Sequence, residues 1–254
     1  MAARISKTIP SPTPACELTA RSVVGALKKH ASPTKAKTSA RFFKTGPGEY
    51  GHGDRFIGVT VPEQRLVART HRGLPLAEIE VLLESRTHEY RLTGLHILVA
   101  AFRSASAYGR SVIAGWYMAH LSRVNNWDLV DSSAPYILGE YLSDKDRAPL
   151  YRLVTSENIW ERRVAMVATY AFIRKNEFAD ACAIAALLLD DRHDLMHKAV
   201  GWMLREVGKR SPRALASFLK KNGHRMPRTS LRCAIERLGP EERRRWMSVK
   251  ARTS

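Results

Sequence analysis

The chain has 254 residues, is 44% hydrophobic and carries a net charge of +18. That is enough apolar material for a real core, with a balance that points to a polyanion as partner: DNA, RNA or an anionic membrane. The longest apolar runs, "ILVAAF" and "AIAALLL", fall far short of the roughly 18–20 residues of a membrane span. The three cysteines, Cys16, Cys182 and Cys233, are scattered and odd in number, which suits a reducing compartment and argues against a disulfide scaffold.

The opening "MAARISKTIPSPTPAC" is basic, Ser-containing and free of acids. It lacks the apolar core of a secretory signal and shares features with organelle transit peptides. Residues 1–16 are expected to be a disordered tail ahead of a single domain over 17–254. From there the pattern is helical nearly throughout. "ELTARSVVGALKKHA" has apolar residues at helical spacing, and "SARFFKT" reads as a short helix. "GPGEYGHGD" then breaks the chain, and "FIGVTVPEQRLVART" restarts it with Pro62 suited to a first helical turn. There follow "LPLAEIEVLLESRT", "EYRLTGLHILVAAFRS", "YGRSVIAGWYMAHLSRV", "WDLVDSSAPYILGEYLS", "DRAPLYRLVTS", "ENIWERRVAMVATYAFIRKN", "EFADACAIAALLLDD", "HDLMHKAVGWMLREVGKR", "SPRALASFLKKN", "MPRTSLRCAIERL" and "PEERRRWMSV". Alternation with period two, the mark of half-buried strands, is missing.

Short turns and paired helices predict an all-α, HEAT-like helical-repeat solenoid of stacked antiparallel helix pairs, whose concave face is the natural binding surface. Charge is uneven along it. Residues 1–48 hold nine Lys/Arg against one acid, residues 203–254 fifteen against four, and the middle eighteen against nineteen. A neutral body with basic ends suggests a clamp on a strand.

Two motifs lead nowhere. "HDLMH" places His193 and His197 on one helix face as zinc proteases do, but Asp194 stands where those enzymes need Glu, and no third ligand is in view. Asp194 reads as an N-cap or first-turn acid. The glycine-rich "GPGEYGHGD" has no Gly-Lys-Ser/Thr ending and follows no strand, so it reads as a flexible connection.

The stretch "NNWDLVD" is more informative. Asn125 or Asn126 would cap a helix that Trp127 opens, with Asp131 one turn on and on the same face. Trp127 as core and Asp128 and Asp131 as complements to the helix dipole is the plainer account, and Ser133 and Pro135 hint that a second helical start follows directly. Against it stand "IWERRVAM", with two arginines beside Trp160 in an apolar helix, and "KAVGWMLRE", with Trp202 among basic neighbours. Aromatic, carboxylate and arginine on consecutive helical pairs would converge on one patch.

These segments, "NNWDLVD", "SENIWERRVAM" and "HKAVGWMLREVGKRSP", together with "ARFFKTGPGEYGHGDRFIGVTVPEQR" and "MPRTSLRCAIERL", resemble in order the bacterial AlkD-type DNA alkylation repair glycosylases, over residues of about 17 to 245. The resemblance implies a HEAT-like solenoid whose concave basic face holds duplex DNA. It implies hydrolysis of the N-glycosidic bond of cationic alkylpurines, 3-methyladenine and 7-methylguanine, without flipping the lesion into a pocket. By the same resemblance Asp131 faces the lesion's deoxyribose as the catalytic carboxylate, Trp127 and Trp202 pack against the sugar-phosphate, and Arg163 holds the backbone. Neither metal nor organic cofactor is implied. The protein would act as a monomer in the bacterial cytoplasm, with alkylated duplex DNA as partner and no obligate protein partner. One departure is Thr60, where the best-studied branch carries a glutamine. The alternative from another class is a non-catalytic HEAT-like DNA- or RNA-binding module that reads backbone shape. A protein-interaction solenoid explains neither the net charge nor the carboxylate.

Overall fold

The structure, a computed structural model, describes residues 18–248. The proposed tail over residues 1–16 and Cys16 lie outside them. The described residues fold as helices α1 (Ala20–Lys28), α2 (Pro33–Phe42), α3 (Val61–Thr70), α4 (Leu76–Leu83), α5 (His88–Ser104), α6 (Ala107–Ala119), α7 (Trp127–Ser133) and α8 (Ala148–Leu153). The chain continues with α9 (Ile159–Ala168), α10 (Tyr170–Arg174), α11 (Ala179–Leu187), α12 (Asp194–Arg210), α13 (Pro212–Asn222), α14 (Arg228–Ala234) and α15 (Pro240–Met247). The only strand-like pairing among the described residues is an isolated bridge between Arg55 and Thr87. None of these helices is long and apolar enough to cross a membrane.

The fold is an all-α helical repeat. Helices α3, α5, α7, α9, α12 and α14 touch in succession and make one row, and α4, α8, α11 and α13 pack behind it, α4 on α5, α8 on α9, and α11 and α13 on α12. All of the helices except α2 and α15 bury residues against their neighbours. In α12 they include the stripe Met196, Ala199, Val200, Met203, Leu204 and Val207, a spacing of three and four that keeps one face inward. Gly201 lets α14 approach that face: a Cβ there would lie 2.7 Å from the Ser230 carbonyl oxygen. Caps set the starts, with Ser32, Ser106, Asn126, Asn158 and Ser211 each accepting a backbone N–H in the first turn.

Three local readings are revised. "ENIWERRVAMVATYAFIRKN" is two helices rather than one, broken at Thr169, whose hydroxyl bonds back to the Met166 carbonyl at 2.7 Å and competes with the helical ladder. The second helical start expected near Pro135 is instead a continuation of α7 through a π turn, Pro135–Gly139, in which the Gly139 N–H reaches the Ala134 carbonyl. Proline has no N–H for the carbonyl four residues back, which here is that of Asp131, and the ladder widens to absorb the mismatch. The loop "GPGEYGHGD" is more than a connection. Tyr50 packs edge-on to Trp160 at 6.1 Å, and Asp54 at its end enters a buried ionic network.

Candidate active site

Asn126 settles the cap of α7, its side-chain oxygen accepting from the Trp127 N–H at 2.8 Å. One turn later Asp131 meets Arg163 of α9 in a two-point pair. The guanidinium donates from Nε to Oδ1 at 2.9 Å and from Nη2 to Oδ2 at 2.8 Å, and from Nη1 to the Leu195 carbonyl at the start of α12 at 2.7 Å. One arginine thus ties three successive helices of the row. The Arg163 side chain is 6% exposed and that of Asp131 18%, so the carboxylate, not the guanidinium, reaches solvent. Burial pushes the Asp131 pKa upward, Arg163 opposes this, and the pKa stays above the ordinary carboxylate value.

The exposed edge of Asp131 opens on a cleft of about 410 Å³. Arg65, Arg69 and Arg72 line one wall and Ser132 and Tyr136 the other, with His96 and Arg103 of α5 between them. Arg103 lies over the Tyr136 ring at 5.2 Å. Both residues also belong to a neighbouring pocket that adds Arg110 and Arg174, so the basic surface continues past the cleft. These arginines come from the middle of the chain, whose net charge is near zero, and not from its basic ends. Acids of that middle segment are used elsewhere: Glu84 pairs with Arg123 and Glu80 with His120, on and behind α4. Segment-by-segment charge counting hides this local cluster of arginines, of which Arg174 pairs with Glu140 in the neighbouring pocket.

Trp127 lies at the edge of an aromatic stack rather than on the cleft wall. Phe43 stacks on it at 5.3 Å, Phe42 meets it edge-on at 6.0 Å, and the stack runs on through Phe56 to His88. Phe42 is 64% exposed, an apolar ring held at the surface beside Trp127. Trp202 is half-buried on α12 and contacts Tyr170 at 6.2 Å. The structure therefore joins Asp131 and Arg163 directly, leaves Trp127 one turn away on α7 in the aromatic stack, and places Trp202 farther along the row.

The Arg163 guanidinium, expected to hold the DNA backbone, is buried and donates to Asp131 and to the Leu195 carbonyl. Arg162 is also occupied, donating to Asp191 at 2.6 Å and to the Ser156 and Glu157 carbonyls. The "HDLMH" histidines serve the backbone: His193 caps α12, accepting from the Leu195 N–H, and His197 contacts the Asp191 carbonyl, which leaves Asp194 as the first-turn acid. Thr60 is bound up in starting α3. Its hydroxyl and its N–H both donate to Glu63, at 2.6 and 2.7 Å.

A second charged cluster begins on the same helix. His88 of α5 bridges Asp54 at Nδ1, 3.0 Å, and Asp128 at Nε2, 2.8 Å, while Arg91 donates to Asp54 at 2.7 Å. Burial disfavours the charged ring, but the carboxylates on its two nitrogens outweigh that and lift its pKa to about 9. His88 is therefore an imidazolium at neutral pH, packed against Phe43 and Phe56 at 4.8 Å each. Sequence reasoning passed over this cluster, because its members lie 34 to 40 residues apart. The arginines of α3 and the turn after it were missed as well, although Arg65, Arg69 and Arg72 recur at helical spacing and could have been read as one basic face.

The description of the family model that matches residues 23–238 is DNA alkylation repair enzyme. No curated protein matches the chain. Among solved structures, a predicted DNA alkylation repair enzyme from Enterococcus faecalis is similar, with a TM-score of 0.65 at 18% identity, covering 83% of this chain and 98% of that one. At that identity the likeness speaks to the fold.

Proposed function

The chain belongs to the DNA alkylation repair enzyme family, and from that premise we propose that it is a DNA glycosylase that hydrolyses the N-glycosidic bond of cationic alkylpurines in duplex DNA. The observation that carries this reading is Asp131: a carboxylate fixed in orientation by a buried arginine, with its free edge on an arginine-lined cleft.

The chemistry needs little more. A purine alkylated at N3 or N7 already carries positive charge and departs readily, so no strong general acid is required. Charge then develops on the deoxyribose, and a fixed anion beside it stabilises that charge without reorganising in the reaction. Arg163 weakens the field of Asp131 somewhat, but it holds the carboxylate ionised against the burial that raises its pKa. Arg65, Arg69, Arg72 and Arg103 take the phosphates that Arg163 cannot reach, which makes binding steeply salt-dependent. Trp127, with exposed Phe42 beside it, and Trp202 farther along the row, offer aromatic faces to the sugar-phosphate and to a cationic base. Chemistry at an open cleft is compatible with a lesion that stays in the duplex. The protein acts as a monomer without metal or organic cofactor in this reading.

A second reading rests on the same ion pair. An Asp131–Arg163 pair that only clamps α7 to α9 would leave a DNA-binding module that reads backbone shape. Base release from duplex DNA containing 7-methylguanine, measured for the native protein and Asp131→Asn, separates the two. Release by the native protein alone supports the glycosylase. Binding without release by either supports the module.

A further inference from the structure

The floor of the cleft holds a histidine. His96 of α5 lines it together with Asp131 and Ser132 of α7 and Arg65 of α3. Its Nε2 is shielded from solvent and bonds to no protein atom, and the same is true of Oδ1 of Asp128, the carboxylate whose field reaches the ring. Buried polar atoms are rarely left so without a bound partner to satisfy them, commonly water. The arginines around the cleft can only donate hydrogen bonds, and both oxygens of Asp131 already accept from Arg163. Burial, with repulsion from Arg65, pushes the His96 pKa down to about 4, and Asp128 offsets this only in part. The ring is thus neutral at neutral pH, with a lone pair on one nitrogen.

We propose that His96 orders the attacking water and accepts its proton, as a second catalytic residue beside Asp131 in the glycosylase reaction, on which this inference rests. The water oxygen bonds to C1′ as the bond from C1′ to the purine breaks. The bonding pair leaves with the purine and cancels its positive charge. The proton shed by the water passes to the His96 ring and from there to solvent. The two groups divide the work by charge: Asp131, held by two guanidinium N–H groups, stays anionic and stabilises the positive charge on the sugar, whereas the neutral His96 ring offers an unused lone pair to a water that becomes strongly acidic as it bonds to C1′.

The test is single-turnover release of 7-methylguanine from a saturating duplex by the native protein, His96→Ala and His96→Phe, with affinity for undamaged duplex and circular dichroism measured alongside. His96→Ala is expected to release base about 10²-fold more slowly, at the low end of general-base contributions, with affinity unchanged and part of the rate restored by added imidazole. His96→Phe keeps the ring's bulk without a nitrogen, and is expected to be as slow and not rescued. A native rate in either folded variant overturns the proposal, as does a loss that imidazole leaves untouched in His96→Ala. A native protein that releases no base overturns the glycosylase reading and this inference with it, so the two failures are told apart.

Discussion

Asp128 and Asp131 stand three residues apart on α7, and both are held by a cationic partner, yet the two surroundings differ in one respect. Asp128 faces back toward α5, where His88 joins it to Asp54 inside a shell of Phe43 and Phe56. Asp131 faces forward to α9, where Arg163 grips both oxygens and leaves an edge on the cleft. The Asp128 side chain is 11% exposed and its partner His88 2%, against 18% for Asp131 and 6% for Arg163, and of the two carboxylates Asp131 is the one that lines the cleft. A buried ion pair alone therefore says little about function. The pair to which the proposed function assigns the chemistry has one side closed by protein and one side open to the cleft.

Asparagine substitutions test that contrast most sharply. Asp131→Asn is expected to slow base release by about 10²–10³-fold, the scale of losing one preorganised electrostatic group. Asp128→Asn is expected to leave the rate per folded molecule near native. Equal loss in both variants would erase the distinction drawn between them. The sealed cluster, for its part, carries stability. His88→Leu strands two carboxylates in the interior, and breaking a buried pair costs about 3–5 kcal/mol. Thermal unfolding followed by circular dichroism should show a midpoint lower by about 10 °C, and a shift of a degree or two would remove His88 from this role.

Acid and base should act on the two clusters differently. The His88 pKa is raised from 6.5 to about 9, so its contribution is fully present below pH ~6.5 and is lost as pH rises through ~9, a total of about 3 kcal/mol. Asp54 has a lowered pKa, because the hydrogen bonds and charges of His88 and Arg91 outweigh its burial. Its contribution is present above the ordinary carboxylate range and fades as pH falls through its folded value. Denaturant unfolding at pH 6 and pH 10 measures the first effect, and a flat profile would count against a charged His88. The proposed reaction needs ionised Asp131, whose pKa is raised. Base release should therefore fall off on the acid side at a higher pH than an unperturbed aspartate would give.

The smallest effect expected is at the cleft wall. Arg69→Ala should weaken binding to damaged and undamaged duplex alike and reduce the slope of log affinity against log salt by about 1, with the rate at saturation unchanged. A salt slope identical to that of the native protein would show that DNA does not lie along α3.

Much of the fold could be read from local sequence. Spacing of three and four in stretches such as "LMHKAVGWMLREV", and caps such as Asn126 and Ser211, depend on residues within one or two turns of each other, so the order of the helices was legible without coordinates. The same locality misled at Thr169 and Pro135, where a bend and a π turn depend on how the ladder absorbs one hydroxyl or one missing N–H. In the candidate site, Trp127 and Asp131 were visible as one turn of a capped helix, and the resemblance of the surrounding segments pointed to them together with Arg163 and Trp202.

The sequence by itself determined helix content, the sign of the net charge and the carboxylate at "NNWDLVD", because periodicity, composition and one-turn spacing are properties of neighbours in the chain. Only the tertiary structure decided that the Arg163 guanidinium is buried against Asp131, that the arginine-lined cleft is built by α3 and α5 from an electrically neutral segment, and that His96 lies on its floor. Those outcomes depend on which faces of distant helices meet, and on which charges burial leaves exposed. Neither is encoded within the span of a single helix.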